Sequence, residues 1–407
     1  MSTARIIRVT NVEKQAGEQL VTYYMGAQQY QWPWQGTAPL IGDVLMINPL
    51  QPDEEPRLIA SAKQGSWNTE NNDALRWRAP FTTESMSRLD VLHRRHLMRR
   101  AVRHYLDEQG FIEIDAPLLV QGASPDIAIN SFSVGERYLV SSTEYQLKRL
   151  AIGGIEKLYS LTQNFREGDS SQYRNPEFTM LEWGRVGSKI ADIEDDAEAM
   201  ILQALQSLEL PTTIDYQGHQ INVKRPWQRL SVLAAIHHIT GVAMDDFDVK
   251  NCHKTLAAIG YEIRPDWAEN QIFLFSLILD HVQPQLGLTQ PVFLNQWPFF
   301  QTTSATPDVN DPTLACRSQL FIGGIELSDG FAGLADADMQ WQLFNNALNM
   351  RAHEGQKAVA LDKKYLAAMQ LGAPHGAGMA MGFDRLVMLL TNQPHIRHVL
   401  AFNWDEL

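Results

Sequence analysis

Three short segments of this sequence hold residues whose types and spacing could do chemistry. In the first, residues 164–169 and 174–183 have the pattern of two strands joined by a polar loop that starts with Phe-Arg. An arginine fixed at a strand end, Arg166, suits a phosphate, which it can grip through two parallel hydrogen bonds. Phe178 and Glu182 occupy alternate strand positions and so share one face. An aromatic ring beside a carboxylate suits a purine next to an ammonium group.

The other two segments indicate phosphate and metal binding. Residues 376–386 form a glycine-rich strand that passes into an apolar helix opened by Asp384 and Arg385. Small residues let the backbone approach a ligand closely, and a guanidinium at a helix start favours phosphate. In residues 323–331, Glu326 and Asp329 stand three apart between glycines. Such acids can hold Mg²⁺ against the phosphates of ATP.

Composition excludes several other classes of protein. The chain has 407 residues, a formal net charge of −13 and two cysteines in unrelated contexts. A general nucleic-acid binder needs a surplus of Lys and Arg, which is absent here. Two isolated cysteines make neither a disulfide framework nor a zinc site. With no apolar stretch long enough to span a membrane and no signal-peptide pattern, we expect a cytoplasmic protein.

The pattern along the chain predicts a small all-β domain, a linker and a larger mixed domain. Residues 1–70 contain five short β-rich runs, which are typical of a small barrel or sandwich such as an OB-like domain. Residues 71–85 are polar and predict a linker, and residues 86–407 form the main domain. Within it we expect a helical and mixed insertion at about 188–290 and a helix over 338–371.

The main domain is predicted to start with a long helix and a strand. Apolar stripes at a spacing of four, which include Leu97, Ala101 and Tyr105, predict the helix, and Gly110 is a natural stop. The strand that follows ends at Pro117. A further helix is expected over residues 144–152, and a strand passing into a helix over 376–390.

In this order, after the helix and the strand that ends in proline, the three segments resemble the three signature motifs of class II aminoacyl-tRNA synthetases. The run 175–183 is close to the lysyl-type subgroup and closest to the elongation factor P (R)-β-lysine ligases. Residues 142–150 and 321–331 also match, and the resemblance covers roughly residues 86–407. It implies an α+β fold, in which an antiparallel sheet is flanked by helices. It also implies ATP-dependent, AMP-forming activation of an amino acid.

The resemblance implies a role for each matching residue on the ATP side. Arg166 would bind the α-phosphate and the substrate carboxylate, and Arg385 the γ-phosphate, which makes these two the catalytic residues. Phe178 would stack on adenine. Gly168 replaces the usual glutamate of the loop, so that Glu167 or Asp169 would serve adenine instead, and Asn175 either contacts ATP or only shapes its turn. Glu326 would hold Mg²⁺, and Gln319 stands where a second metal-binding acid is usual.

On the amino-acid side, the resemblance implies a subsite with unusual side-chain contacts. Glu144 would take the α-amino group and Glu182 would face the substrate side chain; the other residues of this subsite are Asp329, Phe331, Gly333 and Ala380. Lysyl-type enzymes have Asn, Glu and Tyr where this chain has Asp329, Gly333 and Gly184. A buried ammonium needs paired acids, so these replacements argue against lysine as the substrate. Ala380 replaces a glycine of lysyl-tRNA synthetases, as it does in the elongation factor P ligases.

The acceptor of the activated amino acid stays open between alternatives. The short N-terminal block and the acidic balance favour a non-tRNA acceptor, such as a protein lysine or a small amine. The alternatives are a divergent lysyl-type tRNA synthetase and a non-catalytic paralogue that senses an amino acid. Class II catalytic domains typically pair through their first motif, which corresponds to residues 95–118 here. We therefore predict a homodimer.

Overall fold

A computed structural model of the chain describes residues 5–15, 18–25, 28–34, 37–48, 56–61 and 86–406. The predicted linker, residues 71–85, lies outside the described residues. The chain divides into two compact units, Met1–Arg95 and His96–Leu407. This division falls inside the first long helix, whereas the sequence pattern placed it before that helix.

The first unit contains an antiparallel sheet of five strands, as its five β-rich runs predicted. In the sheet the order is β3-β2-β1-β4-β5. Alternate residues of the strands turn inward and form a small core of Ile7, Val9, Val21, Tyr23, Leu45 and Ile47. The strands are β1 (Arg5–Gln15), β2 (Glu18–Met25), β3 (Gln28–Trp34), β4 (Val44–Ile47) and β5 (Arg57–Ala60).

Several of the elements that follow in the chain carry residues that line the cavity described below. Helix α1 spans Arg88–Glu108 and is followed by Gly110, whose φ of +76° ends the helix as predicted. The strand expected up to Pro117 is much shorter than predicted. The elements are β6 (Ile112–Glu113), β7 (Leu119–Val120), β8 (Ser133–Val134), β9 (Arg137–Leu139), α2 (Glu144–Ile152), β10 (Lys157–Phe165) and β11 (Glu177–Val186).

The segment 188–290 is mixed, as the sequence indicated. Helix α3 packs against the central strands of the main sheet, and helices α4 to α6 share an apolar core around Leu274 and Phe275 with one edge of that sheet. Its elements are α3 (Ile190–Ser207), β12 (Thr213–Tyr216), β13 (His219–Asn222), β14 (Gln228–Ser231), α4 (Val232–Thr240), α5 (Val249–Ala258) and α6 (Gln271–Val282).

The last part of the chain completes the sheet. One prediction was wrong here: residues 338–371 are two helices rather than one. Gly355, at a φ of +66°, ends the first helix, and the Asp362 side chain caps the second by accepting from backbone N–H groups. The elements are β15 (Val292–Pro298), β16 (Leu314–Ile322), β17 (Ile325–Ala332), α7 (Ala337–His353), α8 (Lys363–Met369), β18 (Gly376–Gly382) and α9 (Phe383–Leu390).

The main sheet has eight strands in the order β14-β15-β16-β17-β18-β11-β10-β6. Pairing is antiparallel from β15 to β10, and the two edge strands β14 and β6 pair in parallel. Helix α2 packs against β10 and β11. The α+β prediction, with an antiparallel sheet flanked by helices, is therefore confirmed. Within the described part of the chain, no helix is long and apolar enough to cross a membrane.

Candidate active site

A cavity of about 480 Å³ opens over the middle strands of the main sheet, against helix α2. Its size is in the range of ordinary small-molecule sites. The cavity brings together almost all site residues predicted from the sequence: Glu144, Arg166, Asp169, Asn175, Phe178, Glu182, Gln319, Glu326, Asp329, Phe331, Gly333, Ala380 and Arg385. Glu167 is not among the lining residues; it forms an ion pair with Lys357, with 2.9 Å between the Lys357 Nζ and a carboxylate oxygen.

Strand register explains why residues so distant in sequence meet on one floor. Directly paired residues of neighbouring strands point to the same face of a sheet. On the cavity face the pairs across β11, β18 and β17 form three rows. We call them the inner layer (Glu182, Ala380, Asp329), the middle layer (Gly184, Gly378, Phe331) and the outer layer (Val186, Gly376, Gly333).

Two arginines give one end of the cavity a strong positive charge. Arg166 follows the last residue of β10, and its guanidinium carbon lies 5.2 Å from the ring centroid of Phe178. Its Nε is buried and has no hydrogen-bond partner among the described residues. Arg385, in the first turn of α9, donates to the backbone oxygens of Glu326 and Tyr173, at 2.6 and 3.1 Å. An unsatisfied guanidinium beside a second one is a site for an anion.

Arg385 stays charged although burial lowers its pKa. Burial lowers the pKa of Arg385, and the positive charges of Arg174 and Arg166 act in the same direction, whereas the Glu326 carboxylate opposes the change. A guanidinium is basic enough to stay protonated in proteins. The side chain therefore remains a cation that lacks a carboxylate bonded directly to it within the described residues, which leaves its charge available to a ligand.

Asn175 and Asp384 have clear backbone contacts. The Asn175 amide nitrogen donates to the backbone oxygen of Glu177 at 2.6 Å, and its amide oxygen accepts from the backbone N–H of Trp404 at 3.2 Å. Asp384 is fully buried and accepts from the backbone N–H of Thr179 at 2.8 Å. These bonds tie the start of α9 and the end of the chain to β11, so that Phe178 and Arg385 keep their positions.

Glu182, in the inner layer, is held by three donors. Its carboxylate accepts from the Ser142 hydroxyl at 2.5 Å, from the Thr143 backbone N–H at 2.5 Å, and from the Thr143 hydroxyl. Burial raises the pKa of Glu182, although these donors act in the opposite direction. Its lone pairs are thus largely occupied before any ligand arrives.

Glu144 and Lys148 form an ion pair on α2, one helical turn apart. The Lys148 Nζ lies 2.8 Å from a Glu144 carboxylate oxygen and 5.0 Å from the ring centroid of Phe331. Burial alone would lower the pKa of Lys148, but the charge of Glu144 and the contact with Tyr365 outweigh it and raise that pKa. The amine is therefore a cation at neutral pH, directed at the middle layer.

Asp329 is paired with Arg317. The guanidinium of Arg317 donates to both carboxylate oxygens of Asp329, at 2.9 and 2.7 Å, and to the backbone oxygen of Gln301 at 2.7 Å. It also lies over the ring of Trp297, with 4.7 Å from its central carbon to the ring centroid. A bidentate arginine holds a carboxylate in a fixed orientation. Asp329 is thereby neutralised from within the protein.

Two oxygen donors suit a magnesium ion at the arginine end. Glu326 and Gln319 both line the cavity, and the Gln319 Oε1 is buried without a hydrogen-bond partner among the described residues. Mg²⁺ usually takes only one or two protein ligands and completes its shell with phosphate oxygens and water. The donor set therefore fits Mg²⁺ held jointly with a nucleotide. The described residues contain no cluster of three or more His, Cys, Asp or Glu side chains suited to a metal.

Several residues of the site were missed from the sequence. Ser142 and Thr143 fix Glu182, and Arg317 neutralises Asp329 across neighbouring strands, which only the register reveals. Lys148 could have been found, because an acid and a lysine four residues apart on a helix are expected to pair. Arg351 is buried, and it donates to backbone oxygens of the loop before β8, such as that of Ile129 at 2.9 Å.

An antiparallel sheet that carries arginines, acids and an aromatic ring in one cavity is an arrangement suited to joining a nucleotide with a small zwitterion. A family model described as tRNA synthetases class II (D, K and N) matches residues 75–406. The chain belongs to this family of class II tRNA synthetases.

Curated relatives point to the lysyl branch of that family. A lysine–tRNA ligase of Carboxydothermus hydrogenoformans is 33% identical over 312 residues, which cover 74% of this chain and 63% of that protein. A lysine–tRNA ligase of Legionella pneumophila strain Corby is 32% identical over 325 residues, covering 78% of this chain and 64% of the relative. The chain thus spans a little under two thirds of the length of these relatives.

Proposed function

We propose that this protein activates an amino acid with ATP, releases pyrophosphate, and transfers the aminoacyl group to an acceptor other than tRNA. The observation that carries the proposal is the pairing, in one cavity, of the Arg166 and Arg385 cations with the acids Glu144 and Glu182. Cations suit the phosphates and carboxylate of the reactants, and an acid suits an amino group. Membership of the family supports this assignment.

The chemistry needs positioning and charge stabilisation more than a nucleophile of the enzyme. A carboxylate oxygen of the amino acid attacks the α-phosphorus, the bond from that phosphorus to the bridging oxygen breaks, and pyrophosphate leaves. Arg166, with its unsatisfied Nε, would bind the α-phosphate and the attacking carboxylate, and Arg385 the γ-phosphate. Charge spread over phosphate oxygens in the transition state is stabilised by such fixed cations. Phe178 would support adenine.

The two acids of the inner end would orient the amino acid. Glu144 would take the α-amino group, sharing its carboxylate with Lys148, and Glu182 would face the side chain together with Asp329, Phe331, Gly333 and Ala380. Glu326 and the Gln319 amide oxygen would hold Mg²⁺, which when bound supplies charge neutralisation for the phosphates. Asp169 and Asn175 would border the nucleotide, and Glu167 would act only through a movement of its loop.

The acceptor we favour is an amine on a protein or a small molecule, as in the elongation factor P (R)-β-lysine ligases. The amine attacks the activated carbonyl, the bond from that carbonyl carbon to the phosphate oxygen breaks, AMP leaves, and the surplus proton passes to solvent. The formal net charge of −13 supports this choice, because a polyanionic RNA would be repelled by an acidic chain overall.

A divergent lysyl-type tRNA ligase is the second candidate. It is favoured by the relatives, which are named lysine–tRNA ligases, and by the five-stranded N-terminal sheet, which is consistent with an anticodon-binding domain of the OB type. An acceptor assay distinguishes the two candidate functions. The purified protein with its adenylate is incubated with total tRNA and, in a second reaction, with a cell extract free of RNA. Labelled amino acid on tRNA supports the second candidate, and label on protein or small amines supports the first.

The activity is tested by ATP–pyrophosphate exchange across a panel of amino acids, with Arg166→Ala as the variant. We expect exchange with at least one amino acid and its loss in the variant, since a fixed cation in such a site contributes about 3 kcal/mol to the transition state. The melting temperature of the variant checks that it folds. Full activity of a folded Arg166→Ala variant contradicts the assignment. Binding of ATP without any exchange favours a non-catalytic paralogue that senses an amino acid.

We also propose a homodimer. In the segment that follows α1, apolar side chains are exposed in a way that is unusual for a lone domain: Ile112 at 54%, Leu119 at 40% and Val134 at 47%. Exposed apolar side chains favour pairing with another protein, and the family resemblance places that pairing in residues 95–118, which include Ile112. Light scattering after size exclusion should give twice the chain mass of 46.0 kDa, and a monomer at micromolar concentration contradicts the proposal.

A further inference from the structure

The middle and outer layers of the cavity are open because two glycines stand where the backbone does not require them. A Cβ atom built on Gly184 would lie 3.6 Å or more from every other heavy atom outside its immediate chain neighbours, and one on Gly333 at least 3.5 Å. Both distances are ordinary van der Waals contacts. By contrast, a Cβ on Gly376 would lie 2.3 Å from the backbone oxygen of Arg185. Gly376 is therefore needed for packing, whereas Gly184 and Gly333 leave space for a ligand.

The open floor continues to a second mouth. A second cavity at the surface shares six lining residues with the main one: Ala151, Ile152, Glu156, Val186, Ala373 and Pro374. Its remaining lining residues are glycines, so that Glu156, which is exposed, is its one charged residue. The main cavity thus joins an opening whose lining side chains are apolar apart from Glu156, at the end of the floor away from Arg166.

Helix α2 and strand β11 both run along this passage, so the spacing of their residues gives its length. Glu144, Lys148 and Ile152 follow one another at intervals of one turn on α2, while Glu182, Gly184 and Val186 follow at alternate positions on β11. Two strand residues advance by about 7 Å and one helical turn by about 5.4 Å. The inner and outer layers are therefore about 13 Å apart. A lysine side chain held at the inner layer would end near the middle layer, with about half the passage still ahead.

The acids at the inner layer of the passage, and Glu144 beside it, already have partners within the protein. Among the described lining residues, Asp329 is bonded to Arg317 through both oxygens, Glu144 is paired with Lys148, and Glu182 is occupied by three donors. The group that faces the middle and outer layers is the Lys148 ammonium. Its Nζ lies 5.0 Å from the ring centroid of Phe331, and its Cε and Nζ lie 3.5 and 3.8 Å from the Cβ position of Gly333. An ammonium offers hydrogen-bond donors only. It selects an acceptor and repels a second cation.

We infer that this subsite takes an amino acid whose uncharged side chain is longer than that of lysine, with a carbonyl-type acceptor at the middle layer and an apolar end toward the second mouth. The inference rests on the proposed amino-acid activation. An amide carbonyl on an acylated ω-amine meets this description: its oxygen would accept from Lys148, and its acyl group would pass over Gly184 and Gly333. The activation step itself is unchanged.

The test compares lysine, Nε-acetyl-lysine and Nε-hexanoyl-lysine in pyrophosphate exchange with the full chain. We expect kcat/KM at least tenfold higher for the hexanoyl compound than for lysine. Gly184→Leu, which fills the middle layer, should lower kcat/KM for the hexanoyl compound at least tenfold, and Lys148→Met should raise its KM. Lys250→Met, which changes an exposed lysine of α5, is the matched control and should leave kcat/KM unchanged. If Gly184→Leu does not fold, Gly333→Ala narrows the outer layer instead.

A binding measurement separates this inference from the proposed activity. Calorimetry with a non-hydrolysable ATP analogue reports binding of each compound independently of turnover. Exchange that prefers lysine overturns the inference and leaves amino-acid activation standing. Binding of the hexanoyl compound without exchange supports the subsite and contradicts the proposed activity. The inference is also overturned if the hexanoyl compound neither binds nor exchanges, or if Gly184→Leu leaves its use unchanged.

Discussion

The ion pair between Asp329 and Arg317 gives the sharpest prediction about stability. Asp329→Asn keeps the shape of the side chain but removes its charge and one of its two acceptors. The Arg317 side chain is 15% exposed, and in the variant it keeps the backbone oxygen of Gln301, the Trp297 ring and one acceptor at position 329. Breaking a fully buried pair costs about 3–5 kcal/mol. Because Asp329 is 31% exposed and Asn still accepts one bond, we expect a loss of about 2 kcal/mol in the free energy of unfolding.

This loss is measured by calorimetry on the transition of the catalytic unit, because a chain of two units need not unfold in one step. About 2 kcal/mol corresponds to a melting temperature lower by roughly 4 °C in a domain of this size. The control is Asp245→Asn, an exposed acid in the insertion, which should change stability by less than about 0.5 kcal/mol.

A double-mutant cycle with Arg317→Met completes the argument. If the two residues stabilise each other, the double variant should be more stable than the sum of the single losses indicates, with a coupling of about 1–3 kcal/mol. An unchanged or higher melting temperature for Asp329→Asn, or a coupling below about 0.5 kcal/mol, would refute the view that Asp329 is neutralised from within the protein.

Three further predictions follow from single contacts. Gly376→Ala should lower the free energy of unfolding by about 1–3 kcal/mol, because the new Cβ forces β18 away from the Arg185 oxygen. Gly184→Ala should lower it by less than about 1 kcal/mol. Equal losses of the two variants in thermal unfolding contradict this interpretation of the glycines. Arg351→Met should lower the free energy of unfolding by about 3 kcal/mol, because the backbone oxygens that accept from Arg351 lose their donor. Hydrogen exchange of the backbone amides in residues 124–130 should become faster. Unchanged exchange in this segment contradicts the prediction. The pKa of Glu182 is raised above 4.5 in the folded state, so its ionisation should lower the free energy of unfolding as the pH rises from 4.5 through the folded-state pKa. Glu182→Gln should abolish this loss. Parallel curves of stability against pH for wild type and variant, between pH 4 and 8, contradict the prediction.

The sequence was most informative where one element carries its own pattern. The helix α2 was predicted with its bounds, and α1 was predicted from its apolar stripes and from Gly110, since periodicity and a stop residue are local properties. The break between α7 and α8 was missed because apolar residues on both sides kept a helical spacing. Residues 111–117 were predicted as a strand from alternation, but only Ile112 and Glu113 form a strand pair with β10, and Ile114 adds one backbone bond to Tyr159.

The site was predictable in its residue types and less so in its charge balance. Alternation on β11 placed Phe178 and Glu182 on one face, which the structure bears out by their shared cavity. Whether a carboxylate is free for a substrate depends on neighbours from other strands. Asp329 is paired with Arg317 through the register of β16 and β17, and that register is set by sheet packing rather than by any local signal. The open passage at Gly184 likewise depends on the register of three strands, β11, β18 and β17.

The central claim is that the substrate carboxylate attacks the α-phosphorus of ATP, and isotope transfer tests it most directly. An amino acid labelled with ¹⁸O in its carboxylate is incubated with the protein, ATP, Mg²⁺ and an acceptor amine, and the AMP formed is analysed by mass spectrometry. The account predicts AMP that carries one ¹⁸O atom, because the oxygen bridging carbon and phosphorus leaves with the phosphate when the amine attacks. AMP or ADP formed without label, in the presence of aminoacylated product, would contradict it.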